Sequence, residues 1–267
     1  MNIVCIGAGS MAESMIHGWI NKRILKPSDI SVMNKSDIDR LEFLRDEYGV
    51  NIVQKEKTEL KNADFALLAM KPKDVKAALC GIQDDLSPDT VILSVVAGVP
   101  IRTIQKYVGN LPIARAMPNT SAKIGKSATG VAWSEQVTLE QQYELRDLLS
   151  SIGGVTVVEE PQLDAVTAVA GSGPAFIYYF AEAMTEAGVA NGLSLEDSKK
   201  LVRQTFSGAS EMLQYAEFAE LRKKVTSPNG TTAAGIASLE ENNFKEIIGE
   251  CINQAASRSQ ALGREFE

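Results

Sequence analysis

Apolar positions fall into two regimes along this chain. Up to about residue 158, short apolar runs alternate with amphipathic stretches; beyond it only helical spacing remains. Ile3-Val4-Cys5-Ile6 is the first run, uncharged as a parallel strand buried on both faces should be. Met11, Met15, Ile16, Trp19 and Ile20 follow at helical spacing. Further strands are predicted at Asp29–Met33, Ile52–Val53, Ala63–Met70, Val91–Val96, Pro112–Ala116, Ala128–Trp133 and Val155–Val158. Leu41, Leu44 and Tyr48 mark one helix face, and another helix is predicted from Thr138 to Ile152. Such alternation predicts an α/β fold built on a doubly wound sheet.

From Gln162 on, the stripes are helical. Phe176, Ile177, Phe180, Met184 and Ala187 form one. Leu201, Val202, Thr205, Phe206, Ala209, Met212 and Leu213 form a second, and Ile247, Ile248, Cys251 and Ile252 a third. About six helices are predicted. A boundary near Glu159-Glu160-Pro161 divides the chain into 1–160 and 161–267. The stripes are broad for a bundle of this length, which predicts that a second subunit covers part of them. A self-contained bundle is the alternative.

Composition narrows the class. At 267 residues, with 45% hydrophobic and 23% charged positions, the chain has material for a full core. A net charge of −7 without a Lys/Arg block speaks against nucleic acid. Cys5, Cys80 and Cys251 lack paired metal-ligand spacing, so no metal site is predicted. They suit a reduced, cytoplasmic setting. The N-terminus enters a strand directly, so no signal peptide is expected, and no apolar run has membrane-spanning length.

The first strand ends in Gly7-Ala8-Gly9-Ser10-Met11-Ala12, a G-x-G-x-x-A turn before a helix. The first glycine permits the tight turn, the second lets a pyrophosphate approach, and the small third residue lets helix and strand pack closely. The second strand ends in Asn34-Lys35-Ser36, where an NAD-selective fold usually carries a carboxylate for the ribose hydroxyl. Donors and one positive charge there suit the 2′-phosphate of NADPH. The alternative is that Lys35 and Ser36 merely start the next helix. Met70-Lys71-Pro72, Ala97-Gly98 and Asn119 also follow strand C-termini, where ligands sit in open α/β sheets. Lys71 suits either a phosphate or a solvated loop.

Two helix starts in the second half differ from the rest. Ala170-Gly171-Ser172-Gly173-Pro174-Ala175 opens a helix with Pro in its first turn. Thr226-Ser227-Pro228-Asn229-Gly230-Thr231-Thr232 stacks free N–H groups with hydroxyls, a site for a carboxylate. Ordinary capping is the alternative at both.

Together these segments resemble the Δ1-pyrroline-5-carboxylate reductases over the whole chain. The resemblance rests on Ile6–Ala12, Met70–Pro72, Met117-Pro118-Asn119-Thr120, Asp164–Pro174 and Val225–Thr232. It departs at Asn229, where the family usually has glycine; Asn tolerates a left-handed backbone better than most residues. The resemblance implies a Rossmann-type domain followed by an all-α dimerisation domain. It implies hydride transfer from NAD(P)H to a cyclic imine, giving L-proline, in homodimers often assembled into rings. The amides of Gly230, Thr231 and Thr232 would take the substrate carboxylate, with Ser227 and Asn229 also binding the substrate. The Thr232 hydroxyl would reach the ring nitrogen, and Ser172, Gly173 and Pro174 would lie beside nicotinamide and substrate. His17, the single histidine, lies on the first helix and is expected to be structural. Two alternatives are a β-hydroxyacid dehydrogenase using Lys199, Lys200, Lys223 or Lys224, and a nucleotide-bound paralogue without activity.

Overall fold

The computed structural model describes residues 1–53 and 57–264; positions 265–267, the end of the expected helical domain, lie outside the described residues. Two compact units result, one of Met1–Ser172 with the chain from Gln254 onward, the other of Gly173–Asn253.

The first unit is built on β1 (Ile3–Ile6), α1 (Ser10–Asn21), β2 (Ile30–Met33), α2 (Ile38–Tyr48), β3 (Asn51–Ile52) and α3 (Thr58–Lys61). It continues through β4 (Phe65–Leu68), α4 (Val75–Ile82), β5 (Val91–Ser94), α5 (Ile101–Val108) and β6 (Ile113–Met117). Then come β7 (Ser127–Trp133), α6 (Leu139–Ser150) and β8 (Gly153–Val157). The sheet order is β3-β2-β1-β4-β5-β6-β7-β8, with the first six strands parallel.

Successive residues of β1 serve opposite cores. Ile3 and Cys5 pack with Met15, Ile16, Trp19, Leu44 and Leu148 on one face. Val4 and Ile6 pack with Val75, Leu79, Ile101 and Ile104 on the other. This period of two, with apolar side chains on both faces, is what an uncharged run demands when helices cover both sides of a sheet. Burial pushes the Cys5 thiol up to about 12, so it acts as a small hydrophobe. Trp19 is fully buried, and its Nε1 donates to the Leu148 carbonyl at 2.9 Å, pinning α1 to α6.

One pairing breaks the parallel run: β7 is antiparallel to β6. The segment between Met117 and Ser127 is shorter than the dozen or so residues a parallel crossover needs. The chain therefore turns back through a 3-10 segment, and β8 then pairs parallel to β7 by way of α6. After β8, Glu160 accepts from the Ile101 amide at 2.7 Å and pairs with the buried Arg115.

Past the sheet, α7 (Leu163–Val166) and a π-turn (Thr167–Gly171) complete the continuous part of the first unit. The second unit holds α8 (Gly173–Ala190), α9 (Leu195–Met212), α10 (Phe218–Lys224), α11 (Thr231–Glu241) and the start of α12 (Phe244–Arg264). Its helices fall where the stripes predict, but the stripes are not buried within the chain. Between 173 and 253, Val202 is the one apolar side chain in the buried class. Phe180 meets Phe206 and Phe244 with ring centroids 6.0 and 6.4 Å apart. Ile177, Tyr178, Tyr179, Leu201, Met212, Ile247 and Ile248 stay exposed. Among the described residues no helix is long and apolar enough to cross a membrane.

Candidate active site

In the first unit the C-terminal ends of β1, β2, β4, β5 and β6 lie along one edge of the sheet, because these strands are parallel. Gly7–Ala12, Asn34–Ser36, Met70–Pro72, Ala97–Gly98 and Asn119 all follow those ends, as the sequence predicts. The chain leaves β1 for β2 and β3 on one side, then returns to β4 on the other. The crevice between β1 and β4 is thus the switch point where open α/β sheets bind ligands.

Gly7 fills that switch point. Its φ is +101°, its amide donates to the Met33 carbonyl at 2.9 Å, and a Cβ would lie 2.4 Å from the Ala69 carbonyl oxygen. Only glycine fits so close to the neighbouring strand. A Cβ on Gly9 would meet nothing nearer than 3.9 Å, so space lies open above the turn. Gly9 caps α1 without any side-chain hydrogen bond. The first-turn amides of α1 are therefore uncapped by side chains and face an open cradle, which fits a dinucleotide pyrophosphate.

Sequence reasoning missed Arg40. Its Nε donates to the Ala8 carbonyl at 2.7 Å, inside the glycine turn, and its guanidinium pairs with Glu13 of α1. Tyr48 donates to the other oxygen of Glu13 at 3.1 Å. Burial alone would raise the Glu13 carboxyl, but the hydrogen bonds from Arg40 and Tyr48 and the Arg40 charge hold it below its ordinary value. One signal was available: a cation in the first turn of a helix opposes the macrodipole and asks for a compensating partner.

At the end of β2, Lys35 and Ser36 are exposed. Asp37 caps α2, accepting from the Arg40 amide at 3.0 Å. Capping thus does not occupy Ser36, which is the role its alternative reading gave it. Asn34 turns its Oδ1 onto the Lys35 amide at 2.8 Å. Lys71 is solvent-exposed beside the half-buried Pro72.

Helix α8 opens at Gly173 with Pro174 in its first turn, as the sequence predicts, and a π-turn leads into it. Ser172, between the two, caps the π-turn with right-handed helical dihedrals, its amide donating to the Thr167 carbonyl at 2.8 Å. Such wide turns recur at functional sites. Met117 side-chain atoms come to 3.8 Å from where a Cβ on Gly171 would sit.

In the second unit Gly230 is the N-cap of α11, again without a side-chain cap. Asn229 holds φ +60°, the left-handed geometry expected where the resemblance has glycine. A Cβ on Gly230 would lie 2.6 Å from Ser227 Oγ. The Gly230 amide is committed to the Ser227 carbonyl at 3.1 Å, which leaves Thr231 and Thr232 to present first-turn amides. Thr226 turns its hydroxyl away, donating to the Arg222 carbonyl at 2.7 Å. His17 lies next to Asn21 and Tyr48 on the first unit. Lys199, Lys200, Lys223 and Lys224 are exposed, and Lys224 pairs with Glu220 at 2.7 Å. Among the described residues no cluster of His, Cys, Asp and Glu forms a metal site.

Two family models match the chain. Residues 160–262 match the model for pyrroline-5-carboxylate reductase dimerisation, and residues 2–98 match that of coenzyme F420-dependent NADP oxidoreductases. Pyrroline-5-carboxylate reductase 2 of Bacillus subtilis is 42% identical over 264 residues, 98% of this chain and 95% of that one. A pyrroline-5-carboxylate reductase structure from Coxiella burnetii superposes with a TM-score of 0.91 at 34% identity, covering 98% of each chain. The Plasmodium falciparum pyrroline carboxylate reductase, solved with NADP bound, gives 0.84 at 29% identity, also covering 98% of each.

Proposed function

The chain belongs to the pyrroline-5-carboxylate reductase family, and from this we infer that it reduces 1-pyrroline-5-carboxylate to L-proline with NAD(P)H, the last step of proline biosynthesis. One observation carries the inference: α1, which opens behind Gly9, and α11, which opens behind Gly230, each start on a glycine N-cap that makes no side-chain hydrogen bond. One suits a pyrophosphate and the other a small carboxylate.

When bound, the reduced nicotinamide supplies the hydride. The residues of this chain bind and orient. Gly7, Ala8, Gly9, Ser10, Met11 and Ala12 cradle the pyrophosphate; Asn34, Lys35 and Ser36 receive the 2′-phosphate, which favours NADPH over NADH. Met70, Lys71, Pro72, Ala97 and Gly98 line the cofactor path. The Thr231 and Thr232 amides grip the substrate carboxylate, Gly230 permits its approach, and Ser227 and Asn229 hold the corner's shape. The Thr232 hydroxyl hydrogen-bonds the ring nitrogen. Ser172, with Gly173 and Pro174, lies beside the reacting carbon and limits its motion to near-attack geometry. Residues 226–232 carry no acid stronger than a hydroxyl, so the substrate binds already protonated as an iminium, and activity follows substrate ionisation rather than an enzyme base.

We assign residues 1–160 to dinucleotide binding and 161–267 to substrate binding and dimerisation; the compact units divide the chain later, after Ser172, and the first takes up the chain again at Gln254. The chain works as a homodimer, with assembly into rings a further step, in the cytoplasm, where its free cysteines stay reduced. The test is NADPH oxidation with pyrroline-5-carboxylate, set against NADH as donor and against 3-hydroxyacids with NADP+. Turnover of the imine with a lower KM for NADPH is expected. Turnover of hydroxyacids alone, or none, overturns the assignment; a clear NADH preference overturns the roles of Lys35 and Ser36.

A further inference from the structure

Asn119 follows β6 and is 8% exposed, and its side-chain amide is spoken for at both ends. Its Oδ1 accepts from the Ser121 amide at 3.0 Å, and its Nδ2 donates to the Ala170 carbonyl at 2.9 Å. Its backbone amide donates to Ser127 Oγ at 3.0 Å, and that hydroxyl lies 3.0 Å from Thr129 Oγ1, both buried on β7. One acceptor and one donor facing opposite partners fix which way the amide points.

Ala170 lies in the π-turn. Four residues further on stands Pro174, which has no N–H to give the Ala170 carbonyl, and a proline ring crowds the carbonyl four residues before it. A carbonyl so released still needs a donor. Asn119 provides one from a rigid strand end.

We propose that Asn119 is a positioning residue: through the Ala170 carbonyl it holds the π-turn, and hence Ser172, at the end of the sheet that carries the glycine turn. The sequence groups Asn119 with the cofactor loops, but both ends of its amide are committed within the protein. The inference rests on the role given above to Ser172, and it deepens that role by naming what supports it. Thr167 Oγ1, which donates to the Leu163 carbonyl at 2.8 Å, braces the other end of the same turn.

The test is Asn119→Asp, which keeps the acceptor for Ser121 and places an oxygen against the Ala170 carbonyl. In the free protein, amide hydrogen exchange at Ser172 should accelerate at least tenfold. The NADPH dissociation constant, read by fluorescence, should stay within threefold, and kcat should fall at least tenfold. Unchanged exchange at Ser172, or a tenfold loss of NADPH affinity, overturns the proposal. If the aspartate variant does not fold, Asn119→Ser retains a capping oxygen for Ser121, loses the reach to Ala170, and is read the same way. The exchange measurement needs no substrate. A wild-type protein inert toward the imine therefore sinks the proposed reaction while leaving this support of Ser172 to be judged on its own.

Discussion

Arg40 Nε lies 2.7 Å from the carbonyl oxygen of Ala8, so the second helix reaches back and grips the middle of the glycine turn. The same guanidinium pairs with Glu13 on α1, fixing the turn and the helix it opens as one body. A turn that presents its amides to a pyrophosphate gains affinity from being ordered before the ligand arrives. Removing Arg40 loses a charged hydrogen bond worth about 1.5–3 kcal/mol. With about half of that felt at the turn, Arg40→Ala should weaken NADPH binding by about three- to tenfold and leave kcat at saturation nearly unchanged. Fluorescence titration checks this; an unaltered dissociation constant would show that the turn holds its shape unaided.

Glu13 links the same contact to acid stability. Its folded-state carboxyl lies below the ordinary value of 4.5 because Arg40 and Tyr48 donate to it, against the upward push of burial. A depressed carboxyl stabilises the fold fully above its unfolded value, and that contribution disappears as pH falls through the lower folded value. Urea midpoints for the wild type should therefore drop between about pH 5 and pH 3 by more than those of Glu13→Gln. Parallel pH dependence in the two proteins would contradict the assignment.

How much of this was legible in the sequence depended on how local each signal was. β1 and Gly7 were readable because an uncharged apolar run and a glycine turn are contiguous. The antiparallel β7 was open to inference from the short stretch between Met117 and Ser127, yet strand periodicity carries no direction. The Asp37 cap was hidden because Ser36, Asp37 and Asp39 are all good capping types within one turn. Arg40 was illegible as a turn clamp, because its partner lies 32 positions away and the contact exists only once α2 packs beside α1. The π-turn was hidden too. Gly-Ser-Gly-Pro reads as a helix start, which it is, and nothing in it tells that a wide turn with the Asn119 amide on its Ala170 carbonyl comes first. In the corner before α11, the sequence marked the residues but not that the Gly230 amide is spent on Ser227.

Gly7 and Gly9 should fail in different ways. A methyl on Gly7 meets the Ala69 carbonyl at 2.4 Å on a backbone with φ +101°, so Gly7→Ala must move β4 or the turn. A loss of about 2–4 kcal/mol in urea denaturation is expected. Gly9→Ala has open space in the free protein and should unfold like the wild type. The same methyl sits where the pyrophosphate would come, so NADPH affinity should fall at least tenfold. Equal stability losses in both variants would argue that Gly9 has a backbone role and not a ligand role.

Thr232 tests the chemistry. It is exposed in the first turn of α11, and under the proposed function its hydroxyl would reach the ring nitrogen while its amide held the carboxylate. Thr232→Ala removes one transition-state hydrogen bond of about 1.5–3 kcal/mol and should lower kcat by roughly one to two orders of magnitude. Thr232→Ser keeps the hydroxyl and should recover most of it. Unchanged kinetics in the alanine variant would remove Thr232 from the mechanism.

The helical unit sets a last expectation. On a self-contained monomer, replacing an exposed residue usually changes stability by less than about 0.5 kcal/mol. Tyr179 and Ile247 are 75% and 59% exposed within the chain, yet they belong to a unit with Val202 as its one buried apolar side chain. A unit with so small a core cannot offset the entropy of ordering five helices by itself. Its apolar faces are stable only when a second copy covers them, the arrangement that membership in a family with a dimerisation domain implies. Tyr179→Glu and Ile247→Glu should then act as core mutations. Light scattering should give twice 28.8 kDa, or a multiple of that, for the wild type, and monomer or aggregate for the variants. Their thermal midpoints should fall by several degrees and depend on protein concentration. A wild type that scatters as a single chain, with variants equally stable, would mean these helices close on themselves.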